Sequence, residues 1–428
     1  MHRLLSSFQN PIFWFAARIN IYAISLTTLW TPISAVLLPQ RVADITPQSL
    51  HDSALGALFF VGIGIAAVTQ PIAGRISDVI YISDRRRPFI LVGTAFDLLF
   101  LSIFWWSPNL GWLFLAYILL QISSNFAQAA FQALIPDLIG PQDRGLASGV
   151  LNGYNIVGSI IGLGGVGALL GGGLGQGATL LFISAILIIG AAASAVWVPQ
   201  VPPLPADRRA HNLADLVDLK AIAAAFKIDF RVHRLFVLAT ATRFLFLLGL
   251  YPLQHFVLYF LEDRYHLQRA AATVSFAFIG LILIGAVSAG VAGVASDRLG
   301  RVGTSVFGIL FSVAGIAWLS SSPSLAISIG AGFMLAIGIG FFQATNWALL
   351  ADHIPSGQGA RFFGLANIAT AGASALAGAF GPLISYLGIV FPKSNFEIAF
   401  GIGGAIALTS LLPLWRLVVE QRRRQYTG

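Results

Sequence analysis

The chain has 428 residues, 57% of them hydrophobic and 10% charged, with a mean hydropathy of +0.82. A soluble core cannot absorb that much apolar surface, so the chain falls in the membrane class. A net charge of +8 and a pI of 10.1 would suit a polyanion on their own, and the absence of cysteine excludes disulfide and thiol chemistry.

Apolar runs near the roughly 20 residues that cross a bilayer lie at about 16–40, 54–80, 88–107, 111–136, 145–170, 178–198, 233–261, 270–297, 301–321, 324–352, 360–388 and 397–418. They predict an all-α membrane protein of twelve transmembrane helices, six per half. Arg3 is not followed by a short apolar stretch and a small-residue cleavage site, so no removable signal peptide is expected. With both termini on the cytosolic side, only Arg41, Arg264, Arg269 and Lys393 of the 25 Lys and Arg fall in outer loops. This asymmetry is the positive-inside rule, and it accounts for the basic pI without any nucleic acid.

Arg18, near the start of helix 1, can reach the lipid headgroups. After helix 2 comes Gly74-Arg75-Ile76-Ser77-Asp78, with Arg85-Arg86-Arg87 shortly beyond. Asp97 then lies deep in helix 3, nine residues past Pro88, and is the clearest membrane-buried carboxylate. If it titrates it is the ion-coupling site; a structural pair or a hydrogen-bond donor is the alternative.

On helix 4, Gln121, Asn125, Gln128 and Gln132 step by four, three and four, which makes one polar stripe. Helix 5 adds Asn152 and Asn155. Such amides suit hydroxyl-rich solutes that need many neutral hydrogen bonds, or else they join helices to one another. Gly162, Gly164 and Gly167 satisfy a dinucleotide-binding spacing but continue an apolar helix with no strand before it, so close helix packing is the expectation.

The segment Pro199-Gln200-Val201-Pro202-Pro203-Leu204-Pro205 ends helix 6. Three parts follow: a six-helix bundle over 1–198, a cytosolic linker over 199–232, and a second bundle with a basic tail over 233–428. In the linker, Leu213, Leu216, Val217 and Phe226 suggest a short amphipathic helix on the membrane surface, with a loose tether as the alternative.

Arg243 lies nine residues beyond Arg234, so at roughly 1.5 Å per residue it sits about 13 Å into the membrane. It cannot easily reach water, and it either holds an anionic substrate group or pairs with a carboxylate. Tyr251, Gln254 and His255 lie toward the outer end of helix 7 and suit an external gate, although a lone His255 equally suits an interhelical hydrogen bond. After helix 8 comes Gly293-Val294-Ala295-Ser296-Asp297-Arg298-Leu299-Gly300-Arg301, and helix 10 carries Gln343, Asn346 and Trp347. The Arg422-Arg423-Arg424 tail either touches anionic lipid or is simply solvated.

The two loop motifs are one signature written twice. Phe126, Gln128, Ala129, Ala133, Leu134 and Asp137 recur at one common displacement as Phe341, Gln343, Ala344, Ala348, Leu349 and Asp352. Gly149 and Asn152 recur likewise as Gly364 and Asn367. The signature itself has a slightly longer displacement, which places a short insertion within Val79-Ile80-Tyr81-Ile82-Ser83. Matching offsets that include polar residues mark a parallel structural repeat.

A duplicated six-helix unit with this signature after helices 2 and 8 resembles the major facilitator superfamily. Within it, the loop ending Arg85-Arg86-Arg87-Pro88-Phe89-Ile90, with Asn125, Gln128, Ala133-Leu134 and Asp137-Leu138, resembles the glycoside-pentoside-hexuronide:cation symporters and their sucrose-transporter branch. Where that branch carries an acidic residue and an arginine on helix 4, this chain has Gln121 and Gln132. The resemblance implies alternating access around a midplane site, with Gly74, Asp78, Arg87, Gly293, Asp297 and Arg301 forming a cytosolic latch. A carboxylate at Asp78 or Asp297 can cap the positive end of a neighbouring helix.

The substrate-binding set implied by this reading is Asn125, Gln128, Gln132, Asn152, Arg243, Gln343, Asn346 and Trp347, with Asp97 the coupling candidate. The function expected is secondary active transport of a small polar solute, a sugar or glycoside, with a coupled cation, either proton or sodium. Efflux of an organic anion or amphipathic compound is an alternative, as is a non-transporting membrane receptor or assembly factor. The expected partners are solute, coupling cation and membrane lipid. Neither a cofactor nor a metal is expected, and no motif of an enzyme is present.

Overall fold

The structure is a computed structural model that describes residues 11–79, 84, 86–202, 228–267, 269–355 and 359–427. Ile80 to Ser83, where the insertion was expected, and 203–227, where the amphipathic helix was expected, lie outside the described residues. Twelve helices are long and apolar enough to cross a membrane: α1 Tyr22–Ile45, α2 Gln48–Asp78, α3 Arg87–Trp106, α4 Leu110–Leu138, α5 Arg144–Gly171, α6 Gln176–Trp197, α7 Arg234–Tyr265, α8 Ala270–Leu299, α9 Arg301–Ser320, α10 Leu325–Ala351, α11 Phe362–Val390 and α12 Asn395–Arg423. No strand occurs among the described residues. A bilayer offers the backbone no hydrogen-bond partner, so each span must satisfy itself as a helix.

The spans agree with the apolar runs to within a few residues except at the starts of α1 and α2, where α1 begins later and α2 earlier than the runs. A separate helix, Pro11–Asn20, precedes α1 and ends where Asn20 turns its Nδ2 back to the carbonyl of Ala16 and across to that of Ala147. Hydropathy is blind to that break because Ile21 is itself apolar. Past Pro32, α1 widens into a π-helical turn over Ile33–Leu37, as happens where proline removes a ladder donor.

Local chemistry sets the other ends. Pro88 sits in the first turn of α3, where a missing N–H costs nothing. Asn109 caps α4, its side chain accepting from the backbone of Trp112. Before α7, the backbone N–H groups of Arg231 and Val232 donate to Asp229 and hold its carboxyl below the usual carboxylate range. Gly300, at a φ of 80°, turns the chain from α8 into α9.

Two compact units are formed. The first comprises Met1–Arg41, Ile65–Ile222 and Ala271–Phe276; the second comprises Val42–Gly64, Ala223–Ala270 and Ala277–Gly428. In the first, α5 packs on α1 through glycine. A Cβ at Gly162 would come within 2.8 Å of the Thr28 carbonyl oxygen, and Thr28 donates its hydroxyl to the Gly158 carbonyl at 2.9 Å. The run Gly162, Gly164 and Gly167 therefore lies on one continuous helix that another helix approaches closely.

In the second unit, the first part of α2 packs on α11. A Cβ at Gly56 would overlap the Gly378 carbonyl oxygen, and one at Gly381 would overlap that of Asp52. Ser53 donates to Ser385 at 2.8 Å beside this crossing. There α11 is discontinuous: its first piece ends at Ala377 and its second begins at Phe380. Between them the amides of Gly378, Ala379 and Gly381 bond carbonyls three residues back, a tighter turn than the flanking helix.

Candidate functional site

The second unit buries a cation held by neutral side chains. Arg243 of α7 is 3% exposed. Its Nε donates to Thr370 Oγ1 of α11 at 2.8 Å and its Nη1 to Gln343 Oε1 of α10 at 2.6 Å. Its guanidinium carbon lies 4.3 Å from the ring centroid of Trp347, which in turn meets Phe363. Among the described residues no carboxylate pairs with it and no hydrogen bond reaches Nη2. One turn before Arg243, Asn346 Nδ2 donates to the Ala239 carbonyl at 3.3 Å. The Oδ1 of Asn346 is buried with no hydrogen-bond partner.

Helical spacing explains this grouping. Gln343, Asn346 and Trp347 step by three and one along α10, so they share one face. Ala239 and Arg243 are separated by one turn of α7. Four of these side chains were legible as candidates. Thr370 was not, because a membrane threonine ordinarily bonds its own helix, as Thr370 also does to the Ala366 carbonyl.

The first unit holds the amide stripe of α4, and its members differ. Asn125 is buried and its Nδ2 donates to the Gln121 carbonyl at 2.8 Å, within its own helix. Gln132 is exposed and accepts from Gln70 of α2 at 2.9 Å. Gln128 is half-buried and Asn152 exposed, and neither side chain is hydrogen-bonded among the described residues. On the neighbouring face Trp30 of α1 donates to Ser124 at 2.7 Å.

Asp97 is fully buried between α3 and α4. Ser123 donates to its Oδ1 at 2.5 Å, and its Oδ2 has no hydrogen-bond partner. No cation pairs with it among the described residues. One turn earlier, Thr94 shares a hydrogen bond with Tyr22 at 2.6 Å. Helices α3 and α4 are tight here, since a Cβ at Gly93 would come within 2.7 Å of Ala127 Cβ.

The repeated loop signature forms ion pairs in both units. In the first, Arg86 is 2% exposed and donates to Asp78 Oδ1 at 2.5 Å, Asp137 Oδ2 at 2.7 Å and Ser77 Oγ at 2.5 Å. In the second, Arg301 pairs with Asp352 and donates to the Ala348 carbonyl at 2.7 Å. Asp297 is exposed and has no partner among the described residues, unlike Asp78. Gly74 and Gly293 each face open space.

Arg87, expected in the latch, meets Asp84 at 3.4 Å, and Arg86 is the arginine that contacts Asp78 and Asp137. The signal for Arg86 was in the repeat: the displacement that relates Asp137 to Asp352 also relates Arg86 to Arg301. Asp84 further accepts from the backbone of Arg86, Arg87 and Val201, which ties the segment that follows α6 to this loop.

Twelve apolar spans with polar side chains buried among them describe a multi-pass membrane protein. The family model of the Major Facilitator Superfamily matches residues 13–378, and the chain belongs to that family. Its fold is accordingly that of two six-helix bundles. Among solved structures it is similar to the nucleoside transporter NupG, with a TM-score of 0.71 and 14% identity over 94% of this chain and 99% of that one. It is also similar to a bacterial homologue of the human lysosomal transporter Spinster, with a TM-score of 0.66 and 16% identity over 96% and 95%. A third is the human organic anion transporter MFSD10, with a TM-score of 0.62 and 16% identity over 95% and 100%. At these identities the likeness is one of fold. No curated protein matches the chain.

Proposed function

We propose that this family member is a secondary active transporter that carries a small polar solute, of the sugar or glycoside class, together with a coupling cation. The observation that carries the reading is Asp97: a fully buried carboxyl with one oxygen on Ser123, the other idle, and no cation beside it among the described residues. A buried carboxylate without a counter-ion is costly, so a group placed there gains by taking up a proton or metal cation during the cycle. Within the first unit Gln128 has no hydrogen-bond partner among the described residues, and within the second the Oδ1 of Asn346 is idle; each is a neutral group suited to a hydroxyl. The likeness of the loop motif and α4 to the glycoside symporters supports the same solute class.

In this reading the halves 1–198 and 233–428, joined by 199–232, exchange access by alternation. Gly74, Asp78, Gly293, Asp297 and Arg301 act at the face of the repeated loops, with Arg86 rather than Arg87 as the central cation of the first loop. The positive-inside distribution supports cytosolic termini in the cell membrane.

The test is solute accumulation in proteoliposomes under an imposed pH or sodium gradient. Asp97→Asn should abolish gradient-driven accumulation of a sugar or glycoside while leaving equal-concentration exchange in place. Accumulation by Asp97→Asn at the unaltered rate and extent would overturn the coupling role.

A further inference from the structure

We infer that the Arg243 cluster is an anion subsite that selects a solute bearing a carboxylate alongside its hydroxyls. This inference rests on the transport reading above and narrows its substrate. An arginine at this depth without a counter-charge is expensive to bury unless something completes it. Two of its five N–H groups are spent, on Thr370 and Gln343, both neutral acceptors that orient the guanidinium without cancelling its charge. Trp347 covers one face of the plane, which fixes the ring and leaves the edge that carries Nη2 for a ligand. That edge matches the two oxygens of a carboxylate.

Asn346 supplies an independent observation. It is 0% exposed, its Nδ2 is used on Ala239, and its Oδ1 has no donor. A buried acceptor left idle is unusual, and on the face shared with Gln343 and Trp347 it suits a ligand hydroxyl. Cation and idle acceptor together fit a hydroxy acid better than a neutral polyol. The whole subsite is built by α7, α10 and α11 of the second unit.

The probes are D-gluconate, its neutral amide D-gluconamide and the polyol D-glucitol, which share one hydroxylated carbon chain and differ only in the group at its first carbon, anionic in gluconate alone. They are titrated against thermal unfolding of the purified full-length protein in detergent. Gluconate should raise the unfolding temperature at concentrations about tenfold or more below those the neutral pair need, as expected for a charge-assisted pair. Arg243→Gln should erase that preference, whereas Arg243→Lys should keep part of it. If Arg243→Gln does not fold, the three probes on the wild-type protein decide the matter alone. Equal potency of glucitol and gluconate overturns the inference. So does a preference that survives Arg243→Gln, or the absence of a shift from gluconate, lactate, acetate and benzoate alike. Counterflow in proteoliposomes separates the two readings: a neutral solute moved equally by wild type and Arg243→Gln sinks the subsite and leaves transport standing. An acid-specific thermal shift without movement of any solute does the reverse.

Discussion

Arg86 and Arg87 are neighbours in sequence with the same charge, yet their surroundings make them unequal. Arg86 is enclosed by Asp78, Asp137 and Ser77, while Arg87 is 22% exposed and reaches Asp84 at 3.4 Å. Removing one member of a buried charged network leaves the others unpaired, at a cost of about 3 kcal/mol or more. Arg87 loses only one longer contact, to a carboxylate that the backbone of Arg86, Arg87 and Val201 also holds, and so its loss costs less. Arg86→Gln should therefore lower the unfolding temperature in detergent by several times as much as Arg87→Gln, and equal losses would show that the network is not stabilising. At this scale sequence reading finds residue types better than partners. Arg243, Asn346 and Asp97 are conspicuous because charge and amide are rare in apolar spans. Ser123 and Thr370 are inconspicuous because hydroxyls are common there. That Asn125 would turn its Nδ2 to its own helix depends on a rotamer, which spacing does not specify.

Among the elements, the crossing of α2 and α11 is the most specific. Gly56, Gly378 and Gly381 allow the backbones to touch, and the Ser53 to Ser385 bond sits beside them within the second unit. Two hydroxyls 2.8 Å apart occupy places from which two thiols can join, and the chain has no cysteine of its own. The Ser53→Cys, Ser385→Cys double variant should cross-link on oxidation. Under the alternating-access reading proposed above, in which 1–198 and 233–428 move against each other, transport should then stop and return on reduction. Undiminished transport by the fully cross-linked protein would mean that the contact is permanent. The twelve spans were legible from hydropathy alone, since a bilayer imposes length and composition on each of them. The breaks were not: the turn at Ile21, the π-helical stretch at Ile33–Leu37 and the interruption at Gly378 interrupt helices without interrupting apolarity.

For the whole molecule, the repeat was the strongest sequence signal, and its clearest structural counterpart is the recurrence of Arg86 with Asp137 as Arg301 with Asp352. Two copies of one ion pair at one sequence displacement are a property of the duplicated unit rather than of either half. The charge distribution that sets orientation is also a whole-chain property, and it is open to a direct test. In cells, a membrane-impermeant maleimide should label Lys393→Cys, in the loop between α11 and α12, and spare Gln142→Cys, in the loop between α4 and α5. The opposite pattern would invert the topology proposed here. The discontinuity in α11 has a mechanical consequence at this scale. A rod that spans the bilayer transmits any tilt from one surface to the other, whereas two short cylinders joined by a glycine joint do not. Thr370, which orients Arg243, and Ser385 thus lie on separately tilting pieces, so the two ends of this one span can move independently.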